Sequence, residues 1–189
     1  MIPRTTSPIA RTFGPLLASA ALSLFATSCG SGQGEAADAS GAGHPLIGKP
    51  APEITAEAVG GDGPKTLKAA QGKVVILDFW GTFCEPCKKS FPKLQDLHTK
   101  YAASGLKIVG ISEDEDDDKG AIPGFANSYG AKFTLGWDAD KSIARSYKPP
   151  TMPSSFIIDK GGVVRYAHVG YHDGEEVEVE KEIKELLAR

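Results

Sequence analysis

The chain has 189 residues, with 21 Lys and Arg against 24 Asp and Glu, which gives a net charge of −3. This acidic balance excludes charge-driven binding to nucleic acid or to an anionic membrane surface as the main role. The length is sufficient for one domain with a hydrophobic core of its own, so folding does not require a structural disulfide.

The first segment has the pattern of an export signal. The stretch "MIPRTTSPIAR" contains Arg4 and Arg11 and no acid, and the apolar run from Phe13 to Ala26 is shorter than the ~20 residues that a membrane-spanning helix needs. We therefore predict a signal peptide over residues 1–28 and export across the bacterial inner membrane. Loss of the two arginines would leave 19 Lys and Arg against 24 acids, or a charge of −5.

The sequence "ATSCG" at the end of this segment resembles the processing site of bacterial lipoproteins, in which the cysteine is lipidated and becomes the first mature residue. The resemblance implies a lipid on Cys29. Ala26 stands where such sites usually have Leu, so cleavage near "ATS" without lipidation is the alternative. Gly, Ala, Ser and acidic residues follow, so residues 29–45 are predicted to be a flexible tether and residues 46–189 the folded domain.

The first elements of the domain are a turn-rich segment and a β-α-β unit. "PEITAEAV" and "PKTLKAA", separated by "GGDGP", predict an N-terminal β-hairpin or an irregular cap. "KVVILDFW" from Lys73 and "LKIVGIS" from Leu106 are nearly continuous apolar runs, as in strands buried on both faces of a parallel sheet. Apolar residues at three- and four-residue steps from Phe91 to Tyr101 predict a helix between them, which ends near Gly105.

The later elements complete an α/β pattern. The acidic run "EDEDDD" from Glu113 predicts a solvated loop, because Lys119 replaces the glycine that a calcium loop needs at its sixth position. "AIPGFANSYG" predicts a helix, "KFTLGWD" a short strand and "ADKSIARSY" a second short helix. "SFIIDKGGVVRYAHVG" predicts a hairpin, and the C-terminal segment from Glu175 predicts an amphipathic helix.

This order resembles the thioredoxin fold. We therefore expect a central mixed sheet flanked by helices, with the N-terminal β-hairpin as an extension and one helix and strand as an insertion.

Cys84 and Cys87, in "FCEPCKKS", have three ordinary uses. A zinc site would need two further ligands, and a structural disulfide would close a loop of only a few residues, which restricts the unfolded chain very little. The other candidate ligands are the four histidines, of which the last two are interpreted as surface residues: His44, His98, His168 and His172. No second CxxC or nearby histidine pair supports a zinc site, so a redox pair is favoured.

The position of the pair also favours redox chemistry. A strand that leads into a helix places Cys84 at the helix N-terminus, where backbone N–H groups and the helix dipole stabilise a thiolate. Cys87 follows about one turn later and is placed to attack Cys84 in a mixed disulfide, which releases the reduced substrate. The expected redox centre is the Cys84–Cys87 disulfide, without another cofactor or a metal.

The stretch "DFWGTFCEPCKKSFP" resembles the active site of the thioredoxin superfamily, and most closely that of its exported, membrane-tethered TlpA/ResA branch. "YKPPTMPSSFIIDKGGVV" is similar to the segment of that branch in which a cis-proline precedes a strand. The resemblance implies that Pro153 is the cis residue and that it forms, with Met152, the groove where a substrate chain pairs. Pro149 and Pro150 are the alternatives.

Two residues depart from that branch, and a third offers compensation. Phe83 stands where the branch usually has Trp, and Ser90 where ResA-like members often carry a buried Glu that serves the cysteines. Asp78, six residues before Cys84 in an apolar strand, matches the buried Asp of thioredoxins proper. We hypothesise that burial raises the pKa of Asp78 and that it is the acid/base for Cys87. The alternative is an Asp that faces solvent or binds a lysine.

Together these features predict a lipid-anchored thiol–disulfide oxidoreductase outside the cytoplasm. Glu85 beside Cys84 opposes the thiolate, which predicts a less oxidising pair and hence a reductase. The resemblance implies exported protein substrates such as apocytochrome c and a membrane thiol as electron donor. We also expect a monomer. One alternative is a peroxiredoxin-like peroxidase, which needs a threonine where this chain has Gly81; the other is a non-catalytic metallochaperone-like module that uses the same cysteines.

Overall fold

The computed structural model describes residues 43–61, 63 and 65–189. The predicted signal peptide (residues 1–28), the lipidation site Cys29 and all but the last three residues of the predicted tether (29–45) lie outside these residues. Among the described residues, no helix combines the length and the apolar character needed to cross a membrane.

The described residues form six strands and four α-helices. The strands are β1 (Glu57–Gly60), β2 (Val74–Trp80), β3 (Leu106–Ser112), β4 (Thr134–Trp137), β5 (Ser154–Ile158) and β6 (Val164–Val169). The helices are α1 (Glu85–Tyr101), α2 (Ile122–Ser128), α3 (Ser142–Tyr147) and α4 (Glu175–Ala188). Two short 3-10 helices cover Lys68–Ala70 and Asp116–Ala121.

The strands form one mixed sheet in the order β1-β4-β3-β2-β5-β6. The pairs β2–β3 and β3–β4 are parallel, and the other three pairs are antiparallel. The predicted thioredoxin-like α/β fold is therefore confirmed, with α2 and β4 inserted between β3 and α3.

Strand β2 is buried along its whole length because large apolar side chains occupy both of its faces. Ile76 and Trp80 belong to the cluster that α1 and α4 cover, whereas Leu77 and Phe79 belong to the cluster on the opposite face, which contains side chains of α3. Full burial of each such side chain contributes about 2 kcal/mol. The strand that leads to the cysteines is thus held from both sides.

The predicted N-terminal β-hairpin is wrong. Only β1 is a strand, and it pairs with β4 of the inserted unit. The second segment turns into a 3-10 helix because the Glu53 carboxylate accepts the N–H groups of Leu67 and Lys68 at 2.7 and 3.2 Å. Those two N–H groups are therefore not available to a strand partner.

Candidate active site

The two cysteines lie where the chain passes from β2 into α1. Cys84 is the N-cap residue of α1 in an extended conformation, and its Sγ accepts the Cys87 N–H at 3.2 Å. The two residues form a disulfide. Cys84 keeps 6% of its surface exposed and Cys87 keeps none. The helix N-terminus therefore supplies an N–H donor and a positive dipole end to the more accessible sulfur.

The loop before Cys84 is held by a residue from the neighbouring strand end. The Thr82 N–H donates to both carboxylate oxygens of Asp114, at 2.9 and 3.1 Å, and the Thr82 hydroxyl donates to the same carboxylate. The Ser112 hydroxyl adds a third donor group at 2.7 Å. Asp114 is fully buried, so its assignment to a solvated acidic loop is wrong.

A structural signal for Asp114 was present in the sequence. Asp114 follows β3 just as Thr82 follows β2, and the carboxyl ends of neighbouring parallel strands meet at one edge of a sheet. The run that contains Asp114 is strongly acidic, which favoured a solvated loop over a contact between Asp114 and Thr82.

Phe83 presents an apolar ring beside Cys84. The side chain is 63% exposed. Its ring lies over Gly81, where a Cβ atom would come within 2.6 Å of the Phe83 Cε1. Gly81 therefore leaves the room that this position of the ring requires.

Pro153 lies at the same sheet edge as the cysteines. The Met152–Pro153 bond is the cis peptide bond of the described residues, so the alternatives Pro149 and Pro150 are not cis. Because β5 runs antiparallel to β2, Ser154 pairs with Phe79 near the end of β2, which places Pro153 next to the start of the cysteine loop. The Pro153 carbonyl accepts the Gly170 N–H at 2.8 Å.

Asp78 is fully buried on the face of β2 that α1 covers. The Ser155 hydroxyl donates to Asp78 Oδ1 at 2.6 Å, and Oδ2 has no hydrogen-bond partner within the described part of the chain. Burial raises the pKa of Asp78 to about 7; the Ser155 hydrogen bond opposes this shift and the charge of Glu175 adds to it. The solvent-facing and lysine-bound alternatives for Asp78 do not fit this environment.

Ser90 offers no second acid in this region. Its side chain is buried one turn after Cys87, and its hydroxyl donates to the Cys87 carbonyl at 3.2 Å. A hydroxyl in this role supports the helix backbone and does not titrate near neutral pH.

The histidines do not assemble a metal site in the described residues. No group of three or more His, Cys, Asp or Glu side chains there is placed to hold a metal ion. His168, interpreted from the sequence as a surface residue, is 7% exposed and its Nε2 lies 2.7 Å from Glu182 Oε2. The surface interpretation is wrong because β6 turns His168 towards α4.

A disulfide at the start of a helix, with a cis-proline at the same sheet edge, marks the thioredoxin-like thiol–disulfide oxidoreductases as the class to which this fold and site correspond. Comparison with known proteins places the chain more closely. The chain belongs to the AhpC/TSA family, whose model matches residues 47–167.

The relatives agree in activity. Thiol-disulfide oxidoreductase ResA of Bacillus anthracis is 38% identical over 133 residues, which cover 70% of this chain and 75% of that protein. ResA of Bacillus subtilis strain 168 is 37% identical over 98 residues, which cover 52% of this chain and 54% of that protein.

Solved structures give the same result. The crystal structure of a proposed thiol:disulfide interchange protein DsbE from Chlorobium tepidum matches with a TM-score of 0.66 and 34% identity, and it covers 75% of this chain and 97% of that one. A secreted disulfide oxidoreductase of Mycobacterium tuberculosis matches with a TM-score of 0.55 and 25% identity, over 63% of this chain and 86% of that one. This chain is therefore a thiol–disulfide oxidoreductase.

Proposed function

We propose that this protein reduces disulfides of exported partner proteins, with Cys84 as the nucleophile and Cys87 as the resolving thiol. The observation that carries the proposal is the Cys84–Cys87 disulfide at the N-cap of α1, where Sγ of Cys84 already accepts a backbone N–H. A thiolate at Cys84 gains from the same N–H and from the helix dipole.

Reduction of a partner proceeds in two exchanges. The Cys84 thiolate attacks a disulfide sulfur of the partner, a Cys84–partner bond forms, and the other partner sulfur leaves as a thiolate that takes a proton from water. Cys87 then gives its proton to Asp78 and attacks Cys84 Sγ. The second partner sulfur leaves as a thiolate and is protonated in turn, so two electrons have passed to the partner and the Cys84–Cys87 disulfide remains.

Asp78 is suited to the proton transfer from Cys87. Its carboxyl is buried on the α1 face, its pKa is raised to about 7, and one of its oxygens is unpartnered. A base with a pKa close to the working pH accepts and returns a proton with the least cost. Asp78 thus supplies a carboxyl where Ser90 cannot.

The groove for the partner chain lies between Phe83 and Met152. Met152 and Pro153 directly precede β5 at the edge beside the cysteine loop, and the Met152 backbone is the part that we propose for β-type pairing with the partner. The exposed Phe83 ring adds apolar contact next to Cys84. These two residues therefore favour an extended substrate segment.

The place of action in this proposal is outside the cytoplasm, with the protein held at a membrane by a lipid on Cys29. The predicted signal peptide and the secreted relative from Mycobacterium tuberculosis support it. A membrane thiol would return the electrons, and apocytochrome c is the kind of partner that we propose. Loss of lipid labelling in Cys29→Ala would test the anchor.

The direction of electron flow is tested by the reduction potential of the Cys84/Cys87 pair, equilibrated against glutathione or dithiothreitol buffers. Glu85 pairs with Lys88 at 2.5 Å, which moderates its effect on Cys84, so the proposed direction rests mainly on the resemblance of "CEPC" to the ResA-like branch. We expect a value near that of thioredoxin, about −270 mV. A value near about −120 mV would make the protein an oxidant and overturn the proposed direction.

The peroxidase alternative finds no support at the position that it requires. Gly81 stands three residues before Cys84, and the hydroxyl of the adjacent Thr82 is bound to Asp114. Peroxide consumption by the reduced protein tests this alternative directly, and metal analysis of the reduced protein tests the metallochaperone alternative.

A further inference from the structure

Asp78, Ser155 and His168 form a row across three neighbouring strands. Asp78 of β2 is paired with Ser155 of β5, and Ser155 is paired with His168 of β6. Directly opposed residues of an antiparallel pair point to the same face of a sheet, so the three side chains lie side by side under α1 and α4. The Ser155 hydroxyl already joins the first two through its 2.6 Å bond to Asp78 Oδ1.

The outer end of the row reaches a pocket. Ser155 and His168 both line a pocket between α1, Pro153 and the start of α4, and Glu175 and Lys93 lie on its wall. Asp78 does not line the pocket and has no exposed surface. Ser155 therefore lies between a buried carboxyl and a pocket that other polar groups share.

The charged groups near His168 lie on α4, on β2 and on α1. From α4, the His168 ring faces Glu175, Glu178 and Glu182, and Nε2 lies 2.7 Å from Glu182 Oε2. From β2, Asp78 lies beyond Ser155 in the row.

The cation on the α1 side of the pocket is already paired. Lys93 is bound to Glu176 at 3.4 Å. The field at the ring is therefore dominated by carboxylates.

This environment keeps the ring able to exchange protons. Burial disfavours the charged ring, but the hydrogen bond and the charge of Glu182 outweigh burial and raise the pKa of His168. For Glu175 on the pocket wall, burial is itself the cause that raises the pKa. His168 and Glu175 therefore both hold a proton more readily than in solvent, and both lie between the row and the pocket opening.

We propose that Ser155 and His168 carry protons between Asp78 and the pocket. The inference rests on the proposed role of Asp78 as the base for Cys87. After Asp78 has taken the Cys87 proton, its carboxyl donates to Ser155 Oγ while the Ser155 hydroxyl proton passes through pocket water to His168. The imidazolium then releases a proton to solvent past Glu175, so Asp78 is a carboxylate again and the net product is one proton in water. Both residues act through Asp78 and do not contact the partner.

The test separates the two cysteine steps. The full chain carrying Cys29→Ser is reduced and mixed with the aromatic disulfide 5,5′-dithiobis(2-nitrobenzoate). Attack by Cys84 releases one coloured thiolate, and resolution by Cys87 releases the second, so a stopped-flow absorbance trace shows both phases. The variants are Ser155→Ala, His168→Gln and Asp78→Asn, with His98→Gln as the control outside the row and the pocket.

Because the pKa of Asp78 is about 7, a large fraction of the reduced chains hold a proton on Asp78 at pH 7 and need the path to release it before Asp78 can take the proton of Cys87. In that fraction we expect Ser155→Ala and His168→Gln to slow the second phase roughly tenfold and to leave the first phase unchanged. Ser155→Thr, which keeps the hydroxyl, should restore the rate. Free imidazole should restore the rate of His168→Gln, because a small base in the pocket replaces the ring. A residue with only a structural role would show neither rescue.

The outcomes distinguish the two levels of the proposal. If Asp78→Asn slows the second phase while Ser155→Ala and His168→Gln do not, the proton path is overturned and the role of Asp78 stands. An unchanged second phase in Asp78→Asn overturns both. A normal first phase shows that the site is intact in each variant. If His168→Gln does not fold, the comparison of Ser155→Ala with Ser155→Thr still tests the proton path.

Discussion

At the scale of single residues, Asp78 is the polar interruption of an otherwise apolar strand. Its burial follows from the sequence, because Leu77 and Phe79 on one face and Ile76 and Trp80 on the other commit β2 to the core. The contact with Ser155 does not follow, because it depends on how β5 registers against β2, and the two residues are 77 positions apart. The sequence thus indicates that burial of this acid is costly, but it does not identify the residue that donates a hydrogen bond to it.

The raised pKa of Asp78 predicts a pH-dependent cost of folding. Below its ordinary pKa of 3.8 both states hold the proton; between 3.8 and about 7 the unfolded chain ionises first, so stability falls as the pH rises. The full cost is present above pH 7. We expect the stability of Asp78→Asn, relative to the unsubstituted protein, to improve by as much as about 4 kcal/mol between pH 4 and pH 8.

Urea unfolding of both oxidised proteins across this pH range measures the effect. The other groups titrate alike in the two proteins, so the difference isolates Asp78. A difference that does not change with pH would show that Asp78 is ionised in the folded state throughout.

Asp114 is the residue that holds the loop before the cysteines. It accepts hydrogen bonds from Thr82 and Ser112 in a fully buried position. Asp114→Ala would leave these donors without a partner, and we expect a loss of about 2–4 kcal/mol in the free energy of unfolding. The exposed Asp116, two residues later, provides the control: Asp116→Ala should change stability by less than about 0.5 kcal/mol. Equal effects in urea unfolding would show that Asp114 has no special role.

At the scale of elements, the apolar pattern of the sequence, a continuous run or a helical period, was sufficient wherever an element buries its own apolar residues. Strands β2 and β3 and helices α1 and α4 are predicted from such patterns, because their burial is a property of the segment itself. Strand β1 is different. It is an edge strand whose partner β4 lies more than 70 residues later, so the local turn signal suggested a hairpin that does not form.

The end of β1 depends on Gly61. This residue has φ of +72°, and a Cβ atom there would lie 2.0 Å from the Phe133 carbonyl oxygen, which is backbone and cannot move aside. We expect Gly61→Ala to separate the end of β1 from the segment before β4, which would increase hydrogen exchange of β1 amides. Its cost should exceed the roughly 1–2 kcal/mol of a left-handed alanine alone.

Gly72→Ala is the matched control for that experiment. Gly72 has φ of +80° and open space around its Cβ position, so it carries the left-handed cost without the collision. Equal destabilisation of the two variants would contradict the role of the Phe133 contact.

At the scale of the whole molecule, the described surface offers little apolar area for self-association. Its exposed large apolar side chains are Phe83, in the loop between β2 and α1, and Val177, in α4. We expect a monomer whose sedimentation coefficient does not change with concentration. A micromolar dimer that Phe83→Ser dissociates would contradict this expectation and would place the cysteine face in the contact.

The unequal burial of the two sulfur-bearing residues determines how a partner can be identified. Of the two cysteines that the structure describes, a partner protein can reach Cys84, whereas Cys87 is enclosed, so covalent adducts of this pair have a single attachment point. In a Cys87→Ser chain the adduct would persist longer, because the resolving thiol of the pair is gone. Isolation of that adduct from the living cell, followed by peptide mapping, would give both the name of the partner and the cysteine by which it was attached.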